Sequence, residues 1–116
     1  MTDRLRMRLL HIRDAVEQIN ALAEGRTLDG LLQDRVALAA FERFLEIISE
    51  SSRHIPDDVK AAYPAIAWPK VAHLGNHLRH VYHRTDHRLL WSIYEEGELR
   101  ILSGVVEELL VLPRTP

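Results

Sequence analysis

An all-α, up-and-down bundle of four long helices with one or two short ones is the fold class that three observations predict. Apolar residues recur every three or four positions along most of the 116 residues. No segment alternates with period two for long enough to make a sheet. Capping residues, glycines and prolines punctuate the chain at helix-length intervals. A chain of this length fits one domain, residues 1–116, with a core of its own but no room for two.

The first helix is expected from about Thr2, with Asp3 near its start, to about Glu24, where Gly25 supplies a left-handed stop. Its apolar stripe is Leu5, Leu9, Ile12, Val16, Ile19 and Ala23; Leu10 falls outside that arc and marks a candidate dimer surface. Thr27 caps a brief turn through Leu28, Leu31 and Leu32. From about Asp34 the chain continues through Val36, Ala37, Phe41, Phe44, Leu45, Ile47 and Ile48, a stripe half the helix circumference wide. A helix so widely apolar is the central member of a bundle. Ser51, Ser52 and Pro56 then end it, Asp57 and Asp58 open a short turn, and Pro64 and Pro69 bound a connector holding Tyr63 and Trp68. Pro69 suits the first turn of a helix running to about His83. Asp86 caps another, carrying Leu89, Leu90, Trp91 and Ile93, which Gly97 breaks. The last helix, about Glu98 to Leu110, presents Leu99, Leu102, Val106, Leu109 and Leu110 before Pro113.

With no cysteine, a disulfide framework and a thiolate zinc site are both excluded. A net charge of −2 does not fit a protein that coats nucleic acid, which needs a cationic excess. No apolar run approaches the roughly 20 residues of a membrane span, and the opening Met-Thr-Asp-Arg-Leu-Arg lacks the apolar region of a signal peptide, so a cytoplasmic protein is expected.

Chemistry concentrates in one place. His73, His77, His80, His83 and His87 fall within fifteen residues, and Lys70, Arg79, Arg84 and Arg88 face Asp86 alone, a local +3 suited to an anionic ligand. On a helical wheel Val71, Leu74, Leu78 and Val81 share one side within about 80°. Asn76, Arg79, His80 and His83 lie opposite, with Tyr82 at the flank. Three chemistries can use such a face. His73, His77 and His80 have the helical spacing of zinc ligands, but the helix holds no carboxylate and Asp86 is engaged in capping, so no metal and no other cofactor is expected. A histidine titrating near neutrality beside an arginine can move protons while stabilising charge on phosphorus, which metal-free RNA cleavage requires. One helix supplies one copy of the set, and a symmetric homodimer brings two together. The same face can also bind an anion or partner passively. A plainly solvated polar face is the bland alternative.

These residues resemble the HepT-like branch of the HEPN superfamily, small all-α proteins of prokaryotic toxin–antitoxin modules. The likeness covers nearly the whole chain: Thr-Leu-Asp-Gly-Leu-Leu-Gln-Asp-Arg at 27–35, Leu-Glu-Ile-Ile-Ser-Glu at 45–50, the Trp68-Pro69 entry, Gly75-Asn76 leading to His80-Val81-Tyr82, then Asp86 and Trp91. The resemblance implies a homodimeric helical bundle that cleaves RNA without a metal in a cleft shared by both motifs. It also implies a small nucleotidyltransferase (MntA-like) antitoxin that modifies the motif tyrosine with AMP. Carried over by position, His80 is the motif histidine, Tyr82 the modifiable tyrosine and Asn76 the polar residue after the motif arginine; His83 and Arg84 are candidate RNA contacts. The departure is at Gly75. The family sets an arginine with four to six residues between it and the histidine, where this chain has His73, Leu74 and Gly75. Arg79 is the nearest replacement, about 100° from His80 and about 60° from Asn76 on the wheel. The loss of arginine at 75 equally suits a non-catalytic module that binds RNA, a nucleotide or a nucleotidyltransferase through the same face. Close helix packing is the bland reason for the glycine.

Overall fold

The structure, a computed structural model, describes residues 1–80 and 86–113, with the side chains of Asn76, His77, Arg79 and His80 left aside. Those residues form α1 (Asp3–Ala23), α2 (Leu28–Gln33), α3 (Arg35–Arg53), α4 (Asp57–Ala61), α5 (Trp68–His80), α6 (His87–Glu95) and α7 (Glu98–Leu110). The all-α bundle is as expected, and no strand occurs among the described residues.

The helix starts follow from side-chain oxygens that take up otherwise unpaired backbone N–H groups. Thr2 accepts from Leu5 N, Thr27 from Gly30 N, Asp34 from Ala37 N and Asp86 from Leu89 N, all at 3.0–3.1 Å. Gly25 at φ 75° closes the turn after α1, and Gly97 at φ 87° separates α6 from α7. Both angles lie in the left-handed region that a Cβ disfavours.

Helix α3 is the central member: it packs along α1 on one side and α5 on the other, while α7 covers α1 and α6 leans on α7. The core is continuous, with Leu9, Ile12, Val16 and Ile19 of α1 meeting Phe41, Leu45 and Ile48 of α3 and Leu102, Val106 and Leu109 of α7. Each such side chain contributes roughly 1.5–3 kcal/mol of burial. Leu10 packs against this core as a partly buried residue and Val36, placed in the α3 stripe by its periodicity, is 81% exposed. The apolar face of α3 therefore begins at Ala37.

The second departure concerns Ser51 and Ser52, expected to end α3. The helix runs through them to Arg53, and Ser49, Ser51 and Ser52 are all buried. A buried hydroxyl is tolerated in a helix when it bonds back to the preceding turn, as Ser52 Oγ does to Ser49 O at 2.7 Å. Small side chains there also admit a neighbouring helix at close range.

Candidate functional site

That neighbour is α5, the motif-bearing helix. Trp68 opens it, 8% exposed, its indole N–H shared between Lys60 O at 3.1 Å and Tyr63 O at 3.2 Å. The indole thereby fastens the entry of α5 to the α4 turn. Val71 and Leu74 are buried, Leu78 is partly so and His73 is exposed, as the wheel requires.

Gly75 is buried as well, and its surroundings explain it. Its N–H donates to Ser49 Oγ at 2.8 Å, and the same hydroxyl donates to Ala72 O at 2.8 Å. Arg53 Nη2 adds a second donor to Ala72 O at 3.0 Å. A side chain that bonds the backbone of a facing helix needs the two axes close, and Ala72 and Gly75, one turn apart, leave that space. Position 75 is thus committed to the α3–α5 contact. Ser49 was not among the residues singled out from sequence; the signal available was the Ser49–Ser52 spacing opposite Ala72–Gly75.

The far end of the motif region is tied to α3 too. His87 Nε2 lies 3.0 Å from Glu42 Oε1, two-thirds buried on both sides. Helix α3 therefore holds the chain before His80, through Ser49 and Arg53, and after it, through Glu42. The local +3 of the sequence is smaller in space, because Lys70 pairs with Glu98 of α7 at 2.6 Å.

Asn76, Arg79 and His80 occupy the C-terminal part of α5, beyond the Ser49 bridge. Tyr82, His83 and Arg84 lie outside the described residues, as does Val81. Among the described residues no group of three or more His, Asp or Glu is placed to hold a metal ion, and no helix is long and apolar enough to cross a membrane.

A helical bundle whose central helix grips a His-rich helix is the class of protein defined so far. Residues 12–109 match the family described as HepT-like, ribonuclease HepT-like. The chain is 35% identical over 98 residues to a Thermococcus cleftensis protein named "Probable ribonuclease HepT", covering 84% of this chain and 88% of that one. It is 28% identical over 102 residues to a "Putative RNase" of Caldanaerobacter subterraneus, covering 88% and 90%. A Methanocaldococcus jannaschii protein of the same description is 37% identical over 74 residues, covering 64% and 68%. No solved structure matches the chain. The chain belongs to the HepT-like ribonuclease family.

Proposed function

We propose that residues 1–116 form a single HepT-like domain, the toxin of a cytoplasmic toxin–antitoxin module, acting as a homodimeric, metal-independent endoribonuclease. The observation that carries this reading is the family match over 12–109, which includes the whole motif helix. In the dimer, one His80 takes the proton of the ribose 2′-hydroxyl while that oxygen attacks phosphorus. The second His80 protonates the departing 5′-oxygen, so the P–O5′ bond breaks as the 2′-O–P bond forms, leaving a cyclic phosphate and a 5′-hydroxyl. Arg79 offsets the charge of the pentavalent phosphate in place of the arginine absent from position 75, and Asn76 positions it. His83 and Arg84 contact the RNA beside the scissile bond. Tyr82 is the residue on which a nucleotidyltransferase antitoxin places AMP.

Purified protein incubated with RNA in excess chelator tests the chemistry. Cleavage by wild type, lost in His80→Ala and in Arg79→Ala, is the expected result. Cleavage lost in His80→Ala but unchanged in Arg79→Ala refutes the arginine replacement, and cleavage restored only by zinc refutes the metal-free mechanism. Light scattering reads the dimer. Incubation with the nucleotidyltransferase and ATP adds the mass of AMP to wild type and none to Tyr82→Phe; no gain in wild type rejects the modification.

One observation favours a second reading, a non-catalytic module that holds RNA, a nucleotide or the antitoxin on the same face. Gly75 is packed into the α3–α5 contact where the family arginine would stand. RNA retained without cleavage supports that reading.

A further inference from the structure

On the other flank of α3 from α5, between α1 and α3, lies an open groove of about 570 Å³. That is within the usual range of small-ligand sites, roughly 300–1,000 Å³. Helix α1 lines it with Arg8, His11 and Asp14, and α3 with Arg43, Glu46, Ile47, Glu50 and Ser51. Two of these charges match each other, Arg43 Nη1 lying 3.2 Å from Glu46 Oε1, and Glu50 Oε1 lies 3.2 Å from His54 Nε2 just past the end of α3. Two other groups are not so matched. Arg8 Nε is the one buried side-chain nitrogen or oxygen among the described residues with no hydrogen-bond partner. Asp14, exposed, makes no ion pair among the described residues.

These two groups ask for opposite things. A guanidinium only donates and favours an anionic acceptor, whereas a carboxylate only accepts and can take paired N–H donors in place of water. They stand six residues apart on α1, about 9 Å along the axis. A ligand that satisfies both has an anionic group at one end and paired N–H donors at the other. Among the RNA bases only guanine has two adjacent N–H groups on its Watson–Crick edge, N1–H and the 2-amino group, matching the two oxygens of one carboxylate. Ile47 provides an apolar surface for the ring.

The position suits a substrate strand. Around α3, Ser49 faces α5 and Ile47 faces the groove, with Arg43, Glu46 and Glu50 in the arc of about 160° between them at 100° per residue. The groove and the motif helix thus flank one exposed strip of α3, about one helix diameter, ~10 Å, apart.

We propose that the α1–α3 groove is a subsite for one guanine nucleotide of the RNA, its phosphate on Arg8 and its Watson–Crick edge on Asp14. The assignment of RNA as the source rests on the ribonuclease reading; free guanine nucleotides share the chemistry.

Calorimetric titration of the full chain with GMP, IMP, AMP, CMP and UMP in chelator tests the recognition without requiring cleavage. GMP should bind at least about tenfold tighter than AMP, CMP or UMP, and IMP, which lacks the 2-amino group, about tenfold weaker than GMP. Asp14→Asn should abolish the preference, Arg8→Met should weaken all five nucleotides, and Arg8→Lys should recover part of that loss if folding is intact by circular dichroism. Equal affinities, or a GMP preference that survives Asp14→Asn, overturn the site. Single-stranded oligonucleotides holding one G or one A, titrated into His80→Ala, identify the source. Preference for the G strand that Asp14→Asn removes supports the RNA subsite, and discrimination confined to free GMP overturns it. If wild type cleaves no RNA at all, the ribonuclease reading fails while the binding comparison stands.

Discussion

Substituting Ser49 by alanine removes the hydroxyl that bonds α3 to the backbone of α5. Two bonds are lost, Ser49 Oγ to Ala72 O and Gly75 N–H to Ser49 Oγ, each 2.8 Å, at a residue only 1% exposed. Each buried bond contributes about 0.5–1.5 kcal/mol net, and a donor left without its acceptor costs about 1–3 kcal/mol. Ala72 O keeps its bond from Arg53, so the acceptor side is partly compensated. The loss should therefore be about 2–3 kcal/mol, read by urea denaturation at pH 7. In thermal unfolding of a chain this size it corresponds to a fall in Tm of about 8–12 °C. The same change lets the segment bearing Asn76, Arg79 and His80 shift against α3, and a displacement of about 1 Å at reacting groups costs on the order of 100-fold in rate. Cleavage should therefore fall in kcat more than in KM, with the dimer intact by light scattering. A destabilisation below about 0.5 kcal/mol, the scale of a neutral surface substitution, would refute the bridge as an anchor.

Phe41→Ala, at a core ring stacked obliquely on Trp91 at 5.9 Å between centroids, should cost about 3–5 kcal/mol by denaturant titration. Trp68→Phe removes the indole N–H shared by Lys60 O and Tyr63 O and should cost about 1–2 kcal/mol, with faster amide exchange in α4. Asp34 is held below the usual carboxylate pKa by the Ala37 N–H, aided by Arg26 at 3.2 Å. Its stabilisation is thus present above the unfolded value of about 3.9 and fades as pH falls through the lower folded one. Wild type should accordingly exceed Asp34→Asn in Tm at pH 6, and the gap should close on acidification; a gap that widens in acid would contradict the cap.

Helix boundaries were legible wherever a short side chain had an N–H to take up. Thr2, Thr27 and Asp86 cap helices near where the residues alone placed them, and Gly25 and Gly97 adopt the left-handed angles expected. Where the sequence misled, the cause was a residue whose meaning depends on a distant partner. Ser51 and Ser52 read as helix breakers because isolated serines compete for backbone bonds, yet buried beneath neighbouring helices they continue α3. Val36 fits the apolar period but faces solvent at the first turn of α3.

Periodicity and capping are local, so they determined by themselves that the chain is an all-α bundle and that α3 is central. The residues of 75–82 likewise carried the family likeness without any coordinates, since motif chemistry is written in residue type and spacing. What only the tertiary structure decided is the use of small and charged residues brought together from far along the chain. Ser49 meets Gly75 across 26 positions, Glu42 meets His87 across 45, and Arg8 lies with Asp14 and Arg43 along one groove. Such contacts depend on how two helices approach, and a hydroxyl, a glycine or a lone carboxylate acquires its role only from the group that packing sets beside it.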